Sequence, residues 1–488
     1  MKSGINFLML LRVMGLLVLI EALFMTVPLG VAMYWGDGDT EAFLVSIAIA
    51  AASGSVMTFA VRPRRHSMGK REGFLLTAMV WVVFSIFGMI PFMICRTPLS
   101  LSDAFFESMS GFTTTGASVM QEIDGLSHGI HMWRSLMQWI GGMGIILFTL
   151  AVVPMLNSSG GMQMFNAEVT GITHEKLRPR VSSTAKRLWL VYALLTLMLV
   201  FLYWIGPMGI FDSVCHAFST MSTGGFSTRG ESLGAWDSLY IKIVTTVFMF
   251  IGGVNFALIF KASTGNFRAI WSNQTFRVYL MAIAVMFVLF DVALVINPMV
   301  DPDAMSMTID PLFQIVSMMS STGFTVEGFE DWGYFILALT IVLMFFGACA
   351  GSTSGGAKID RAIFLWKNLR NEIYRCVYPN RILAVENNGK TISPEIVNKV
   401  LAFLCLYVLV ILVGGILLTM LGVPLVDGFF SAFSCVSNTG LETGLTGYGG
   451  TYDLIPPAGK WILSMLMLTG RLEIFTVLVL LAPGFWKK

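Results

Sequence analysis

The chain has 488 residues, 56% of them hydrophobic and 12% charged, and a formal net charge of +2 at pH 7. Apolar runs near 20 residues recur along it, each long enough to cross the roughly 30 Å hydrocarbon core of a bilayer. This excludes a mainly soluble protein, leaves no large soluble domain to place, gives no reason to expect a nucleic-acid partner, and predicts an all-α polytopic membrane protein surrounded by lipid.

In chain order the hydropathy predicts spans at 7–35, 41–60, 74–95, 130–156, 188–206, 238–260, 278–297, 333–357, 396–421 and 456–483, ten crossings in all. The first run, "FLMLLRVMGLLVLIEALFMTVPLGVAMYW", is too long for a signal-peptide core and lacks a small-residue cleavage site, so it is expected to be retained. Loops 61–73, 158–187, 261–277 and 358–399 hold 21 Lys and Arg. The alternate loops 36–41, 96–129, 207–237, 298–332 and 422–455 hold only Arg96 and Arg229, beside 19 Asp and Glu. By the positive-inside rule the first set and both termini are cytoplasmic. An acidic outer face suits a cation pathway, because clustered carboxylates raise the local cation concentration; it is also what remains wherever Lys and Arg are excluded. Cys95, Cys215, Cys349, Cys376, Cys405 and Cys435 form no CxxC pair and read as small hydrophobes. His66, His128, His131, His174 and His216 form no HExxH motif, and His128 and His131 read as loop or cap residues at an outer helix start.

Four outer segments are too short to cross and too apolar for ordinary loops: "DAFFESMSGFTTTGAS" from Asp103, "DSVCHAFSTMSTGGFS" from Asp212, "DPLFQIVSMMSSTGFT" from Asp310 and "DGFFSAFSCVSNTGLE" from Asp427. Each reaches a glycine 13 residues after its Asp: Gly116, Gly225, Gly323 and Gly440. Such fixed self-similarity marks a repeat, here helix, short helix, glycine loop, helix. The Asp is expected to cap a helix of about ten residues, which at 1.5 Å per residue reaches only halfway through the membrane. The chain must then return through Thr114-Thr115-Gly116, Thr223-Gly224-Gly225, Ser321-Thr322-Gly323 and Asn438-Thr439-Gly440. Irregular backbone at that depth is tolerated where it is buried in protein or lines a wet cavity. Four such loops around one axis would give a ring of carbonyl oxygens able to replace a cation's hydration shell. A single Thr-Gly is more often a helix C-cap; four at one offset point to the ring. In the second loop Gly224 competes with Gly225, and only the Asp offset favours the latter.

These residues resemble the Trk/Ktr/HKT superfamily of potassium transport subunits, most closely its TrkH-like bacterial branch, over essentially the whole chain. The resemblance is carried by "SGFTTTGAS", "STGGFSTRG", "SSTGFT", "SNTGLETG", "GACAGSTSGGAK" and "TGRLEIFT". It implies two leading helices and four M1-pore helix-M2 repeats, arranged pseudo-fourfold around one pore in the bacterial inner membrane. The boundaries expected are 1–73, 74–187, 188–277, 278–395 and 396–488. It further implies that Gly116, Gly225, Gly323 and Gly440 form a potassium-selective constriction; relatives that pass sodium often carry Ser at the first of these positions.

Small residues recur, starting 24 to 30 positions after each repeat glycine: "GGMG" at 141–144, "GGVN" at 252–255, the stretch from Gly347 to Gly356, and Gly470. Close helix packing is the favoured reading of the first two. The third, with Gly347, Gly351, Ser352, Thr353, Ser354, Gly355 and Gly356, is too rich in glycine to remain helical, since each Gly costs about 1 kcal/mol relative to Ala. By resemblance it is an intramembrane gating loop. Arg471 lies deep in the last span, where an arginine needs a partner or an aqueous cavity; a structural ion pair with Glu473 is opposed by their i, i+2 spacing, and the resemblance places Arg471 beside the gating loop. Lys358 closes the loop and suits either a similar role or the cytoplasmic interface.

The expected function is channel-like potassium uptake, with potassium as substrate. The alternative is a proton- or sodium-coupled symporter, for which Glu21 is the acid deep in an early span; an enzyme would need a nucleophile, base or metal set, and none is visible. The resemblance implies a homodimer seated on a cytoplasmic, TrkA-like ring of nucleotide-binding regulatory subunits, with loops 158–187 and 358–399 as docking surfaces. The chain has no GxGxxG motif of its own opening a helix in a βαβ unit, so any nucleotide is expected on that separate protein.

Overall fold

The structure, a computed structural model, describes residues 5–61, 63, 69–142, 144, 181–296, 306–326, 328, 332–381, 383–441, 443–444 and 451–486. The inner part of the predicted span 130–156, most of loop 158–187, and His66, Met143, His174 and Glu442 lie outside these residues.

The described chain is almost entirely helical. Six continuous helices are long and apolar enough to cross a bilayer: Phe7–Trp35, Thr40–Ala60, Arg71–Ile94, Lys186–Ile205, Gln274–Ile296 and Pro394–Met420. Their outward faces are as apolar as their packed ones. In the fourth, Leu194, Leu197 and Phe201 are exposed while Tyr192, Leu199 and Tyr203 are buried, the arrangement expected where the solvent is itself hydrocarbon. Two further crossings are bent pairs, Leu239–Gly252 with Phe256–Ser263 at 105° and Pro457–Arg471 with Ile474–Leu481 at 115°. Of the two predicted spans that remain, 333–357 holds the shorter apolar helix Tyr334–Phe346, and 130–156 is described only over its start, in the helix His128–Gly142.

The two bends correct the expectation of straight spans at 238–260 and 456–483. Hydropathy averaged over each span stays high, even with Arg471 and Glu473 in the second, so the break is set locally. At the first, the Asn255 side chain accepts from the N–H groups of Ala257 and Leu258 and starts a new helix; at the second, Glu473 adopts φ 60°. The third repeat breaks more fully: Tyr334–Phe346 stops at Gly347, and helix resumes only at Ile359–Val377.

Between the spans lie four half-length helices, Leu101–Phe112, Ile210–Ser222, Ser306–Met319 and Leu425–Ser437. At 12 to 14 residues they extend about 18–21 Å. Their aspartates are not caps, contrary to the sequence expectation. Asp103, Asp212 and Asp427 are each the third helical residue, behind Ser100, Gly209 and Pro424, and Asp310 lies within its helix before Pro311. The apolar periodicity starts earlier than the Asp, and in the first repeat Ser100 supplies the capping oxygen. In the first turn an Asp still complements the positive end of the helix. Three of the four are also ion-paired: Asp103 with Lys460 at 2.5 Å, Asp310 with Lys242 at 2.7 Å and Asp212 with Arg229 at 3.7 Å. Lys242 and Lys460 sit in the first turns of Leu239–Gly252 and Pro457–Arg471, so Asp310 and Asp103 are neutralised by lysines from within the spans.

The one sheet among the described residues is a hairpin in which Val385–Asn387 runs antiparallel to Lys390–Ile392, Val385 opposite Ile392. Its Asn388-Gly389 turn has φ 49° and 72°, the pair of left-handed residues that tight hairpins favour.

Candidate functional site

Each half-length helix ends in the same way. The residue two before the repeat glycine is left-handed: Thr114, Thr223, Ser321 and Asn438, at φ 55°, 54°, 55° and 53°. Its N–H bonds the carbonyl three residues back, on Gly111, Thr220, Met318 and Cys435. The next N–H bonds the carbonyl five back, on Ser110, Ser219, Ser317 and Ser434, all at 2.8–3.2 Å. This is a Schellman cap, which ordinarily takes glycine or asparagine at the left-handed position. Thr114 and Thr223 are β-branched and strained there, and such strain clusters at functional sites. The cap and the loop are thus consecutive parts of one device.

Beyond the cap, Gly116, Gly225, Gly323 and Gly440 take φ of 87°, 83°, 80° and 70°, while Gly224 is not left-handed, so Gly225 is the second repeat's equivalent. A Cβ on Gly116 would lie 2.2 Å from the carbonyl oxygen of Gly224; on Gly225, 2.1 Å from that of Thr322; on Gly323, 2.0 Å from that of Thr439; on Gly440, 2.1 Å from that of Thr115. The contacts run from repeat 1 to 2, 2 to 3, 3 to 4 and back to 1. The four segments therefore encircle a single axis. Glycine is required twice over at each position, by the sign of φ and because the neighbouring oxygen occupies the place where a side chain would begin.

Side chains brace the ring from behind. Glu107 and Arg134 form a buried ion pair, Arg134 Nε donating to Glu107 Oε1 at 2.7 Å. Arg134 also donates to Ser118 Oγ at 3.0 Å and to the Ser227 carbonyl at 3.2 Å, and its guanidinium lies 4.1 Å from the Phe226 ring centre. Glu107 accepts from the Val119 N–H at 3.0 Å. His216, four residues after Asp212 as Glu107 is after Asp103, meets Ser227 Oγ at 3.0 Å. One turn beyond Arg134, Gln138 reaches the second loop. None of these residues was identified from sequence as part of the site. The signal was present, since an ionisable residue inside an apolar span is a functional candidate by default, and Arg134 falls within the predicted span 130–156.

The small-residue stretch from Gly347 to Lys358 lies against the ends of these helices. Thr353 Oγ1 donates to the carbonyl of Met221 at 3.3 Å, Gly355 N–H to Ser321 Oγ at 2.5 Å, and Gly356 N–H to the carbonyl of Ser437 at 2.9 Å. The helix break at 252–255 forms its seat. Cys349 and Thr353 donate to the carbonyls of Gly253 and Gly252, and Asn255 Nδ2 donates to the Ala350 carbonyl at 2.6 Å. Gly252 and Gly253 allow close packing, as expected, but their partners include this loop as well as neighbouring helices. Gly141 and Gly470 lack the side chains that would collide with the carbonyls of Phe112 and Val436, 1.9 and 2.0 Å from a built Cβ.

Arg471 sits at the bend of the last span. It donates to the carbonyl of Thr353 at 2.8 Å and to that of Gly141 at 2.9 Å, joining the loop to the first repeat. Glu473 pairs not with Arg471 but with Arg361, at 2.5 Å. Lys358 is buried, with Nζ on the carbonyl of Ser354. Gly351 and Gly356 take φ of 78° and 74°, and Ser352 Oγ meets Ser354 Oγ at 2.9 Å. Glu21 is buried, and its carboxylate finds no hydrogen-bond partner among the described residues. The ring segments are made of backbone and mostly hydroxyl-bearing or glycine residues, with no carboxylate among residues 113–116, 222–225, 320–323 and 437–440. Among the described residues no three His, Cys, Asp or Glu side chains gather to hold a metal.

A family model described as TrkH, cation transport protein, matches residues 39–488. The Trk system potassium uptake protein TrkH of Salmonella typhimurium is 36% identical over 486 residues, 99% of this chain and 100% of that protein. The Trk system potassium uptake protein TrkG of Escherichia coli K12 is 29% identical, with 97% of each chain covered. The crystal structure of the potassium transporter TrkH from Vibrio parahaemolyticus superposes with a TM-score of 0.90 at 33% identity, covering 99% of this chain and all of that one.

Proposed function

The chain belongs to the TrkH family of cation transport proteins, and on that premise we propose that it takes up potassium through a channel-like pore. Thr114, Thr115, Gly116, Thr223, Gly224, Gly225, Ser321, Thr322, Gly323, Asn438, Thr439 and Gly440 act as the selectivity filter. Gly347, the segment Gly351 to Gly356, Lys358 and Arg471 act as the gate beneath it. The observation that carries this reading is the closed cycle in which each repeat glycine receives the next repeat's carbonyl oxygen. A ring of fixed carbonyls substitutes for ion hydration without any proton relay. The loop's bonds to the helix ends of repeats 2, 3 and 4, with Arg471 reaching repeat 1, support a plug held from all sides.

The relatives' names describe parts of a Trk system, and we extend this to a homodimer, with both termini cytoplasmic, working with a nucleotide-binding regulatory ring on that side. Gly116→Ser tests the filter. Its Cβ would fall 2.2 Å from the Gly224 oxygen, so that carbonyl must move and sodium is expected to pass beside potassium in proteoliposome flux. Selectivity unchanged from the parent would count against a filter at this position.

A further inference from the structure

The four repeats hold their loops alike in three cases and differently in one. In repeats 1, 3 and 4 a threonine precedes the ring glycine, and its hydroxyl pairs with the hydroxyl two residues earlier: Thr115 with Thr113 at 2.8 Å, Thr322 with Ser320 at 2.7 Å, Thr439 with Ser437 at 2.9 Å. Repeat 2 has Gly224 at this position and no hydroxyl to pair, so Ser222 Oγ keeps only its bonds to the helix carbonyls of Phe218 and Ser219, of the kind that Thr113, Ser320 and Ser437 also make. The space left by the missing side chain is filled from another repeat. A Cβ on Gly224 would lie 2.4 Å from Gln138 Cδ. Gln138, fully buried, donates from Nε2 to the carbonyl of Gly224 at 2.7 Å and accepts at Oε1 from the N–H of Phe226 at 3.1 Å. The amide orientation follows from its partners, because a carbonyl can only accept and an N–H only donate. Gln138 thereby grips the backbone on both sides of Gly225, and the oxygen it holds is the one that packs on Gly116.

We infer that Gln138 is a specificity-determining positioning residue: it replaces the absent threonine of repeat 2, fixes the Gly224 carbonyl in the ring, and through it sets the discrimination of potassium from sodium. The inference rests on the filter reading above. It also explains why the chain bears Gly-Gly here and Thr-Gly elsewhere, since Gln138 and a side chain at 224 exclude one another.

The test is the ratio of potassium to sodium flux in proteoliposomes of the full-length protein, for Gln138→Leu, for the double variant Gln138→Ala/Gly224→Thr, and for Gly116→Ser as the control on the filter. Gln138→Leu keeps the bulk and deletes both hydrogen bonds, so the ratio is expected to fall about tenfold. The double variant vacates the space and supplies a hydroxyl for Ser222; Gly224 is not left-handed, so threonine is sterically permitted, and the ratio is expected to return to within about twofold of the parent. Folded Gln138→Leu protein with an unchanged ratio overturns the inference. So does a folded double variant whose ratio stays low, which also decides the matter if Gln138→Leu cannot be isolated. A purely structural role would lower yield without moving the ratio. If Gly116→Ser lowers the ratio and Gln138→Leu does not, this inference alone fails; if Gly116→Ser has no effect either, the filter reading itself has failed.

Discussion

Alanine at position 355 separates the gate from the filter with a single methyl group. Gly355 does not have a left-handed φ, so the substitution brings no backbone strain and acts only by its bulk. Its Cβ would lie 2.0 Å from the Ser437 oxygen and 3.0 Å from Asn438 Cβ. Carbon and carbonyl oxygen settle at about 3.3 Å or more, so the loop must retreat from the fourth repeat by roughly 1 Å. That retreat stretches two hydrogen bonds, from Gly355 N–H to Ser321 Oγ at 2.5 Å and from Gly356 N–H to the Ser437 carbonyl at 2.9 Å. At about 1 kcal/mol net for each, the loop's seated state loses about 2 kcal/mol, which moves the ratio of seated to displaced loop about 30-fold. The expected result is higher basal rubidium flux into proteoliposomes, with the order of preference among potassium, rubidium and sodium unchanged. Flux equal to the parent would refute the view that this loop limits conduction. Reduced flux together with lost selectivity would make the segment part of the filter's support.

Two further outcomes are expected. Arg471→Gln loses charged bonds to the Thr353 and Gly141 carbonyls, each about 1.5–3 kcal/mol, so basal flux should rise while ion preference stays; a fall in flux would assign Arg471 to holding the bend of the last span. Arg134→Leu leaves Glu107 buried without its cation, at a cost of about 3–5 kcal/mol, and should lower the thermal unfolding temperature in detergent. Adding Glu107→Gln should recover most of that loss, and strictly additive losses would show that the pair does not act as a unit.

The fourfold plan was legible because the Asp-to-Gly spacing survives in every repeat while the residues between diverge, and the half-length helices lie where that spacing places them. The third-repeat break was legible from glycine content. The breaks near Gly253 and Glu473 were not, because hydropathy averaged over each span stays high, even with Arg471 and Glu473 in the second, and the turn depends on one capping asparagine and one left-handed residue. The choice between Gly224 and Gly225 needed backbone geometry. Arg134 carried the signal of an ionisable residue inside a predicted span, whereas Gln138 looks like an ordinary polar residue near the start of that span. What gives them meaning is their partners in the second repeat, some ninety positions away, a distance over which local pattern carries no information.

The cycle of glycine and carbonyl contacts behaves as a hoop. An open row of strands can relieve a misfit at its free edge, as an ordinary sheet does, whereas a closed row has no edge. Extra bulk at any member can be accommodated only by a longer circumference, shared among all four. The ring's circumference is consequently a collective dimension, and on the filter reading proposed above an altered ring residue in one repeat changes the whole opening. Ring closure also couples the four quarters of a single polypeptide as tightly as separate subunits are coupled in a symmetric oligomer, while leaving each quarter free to acquire its own brace.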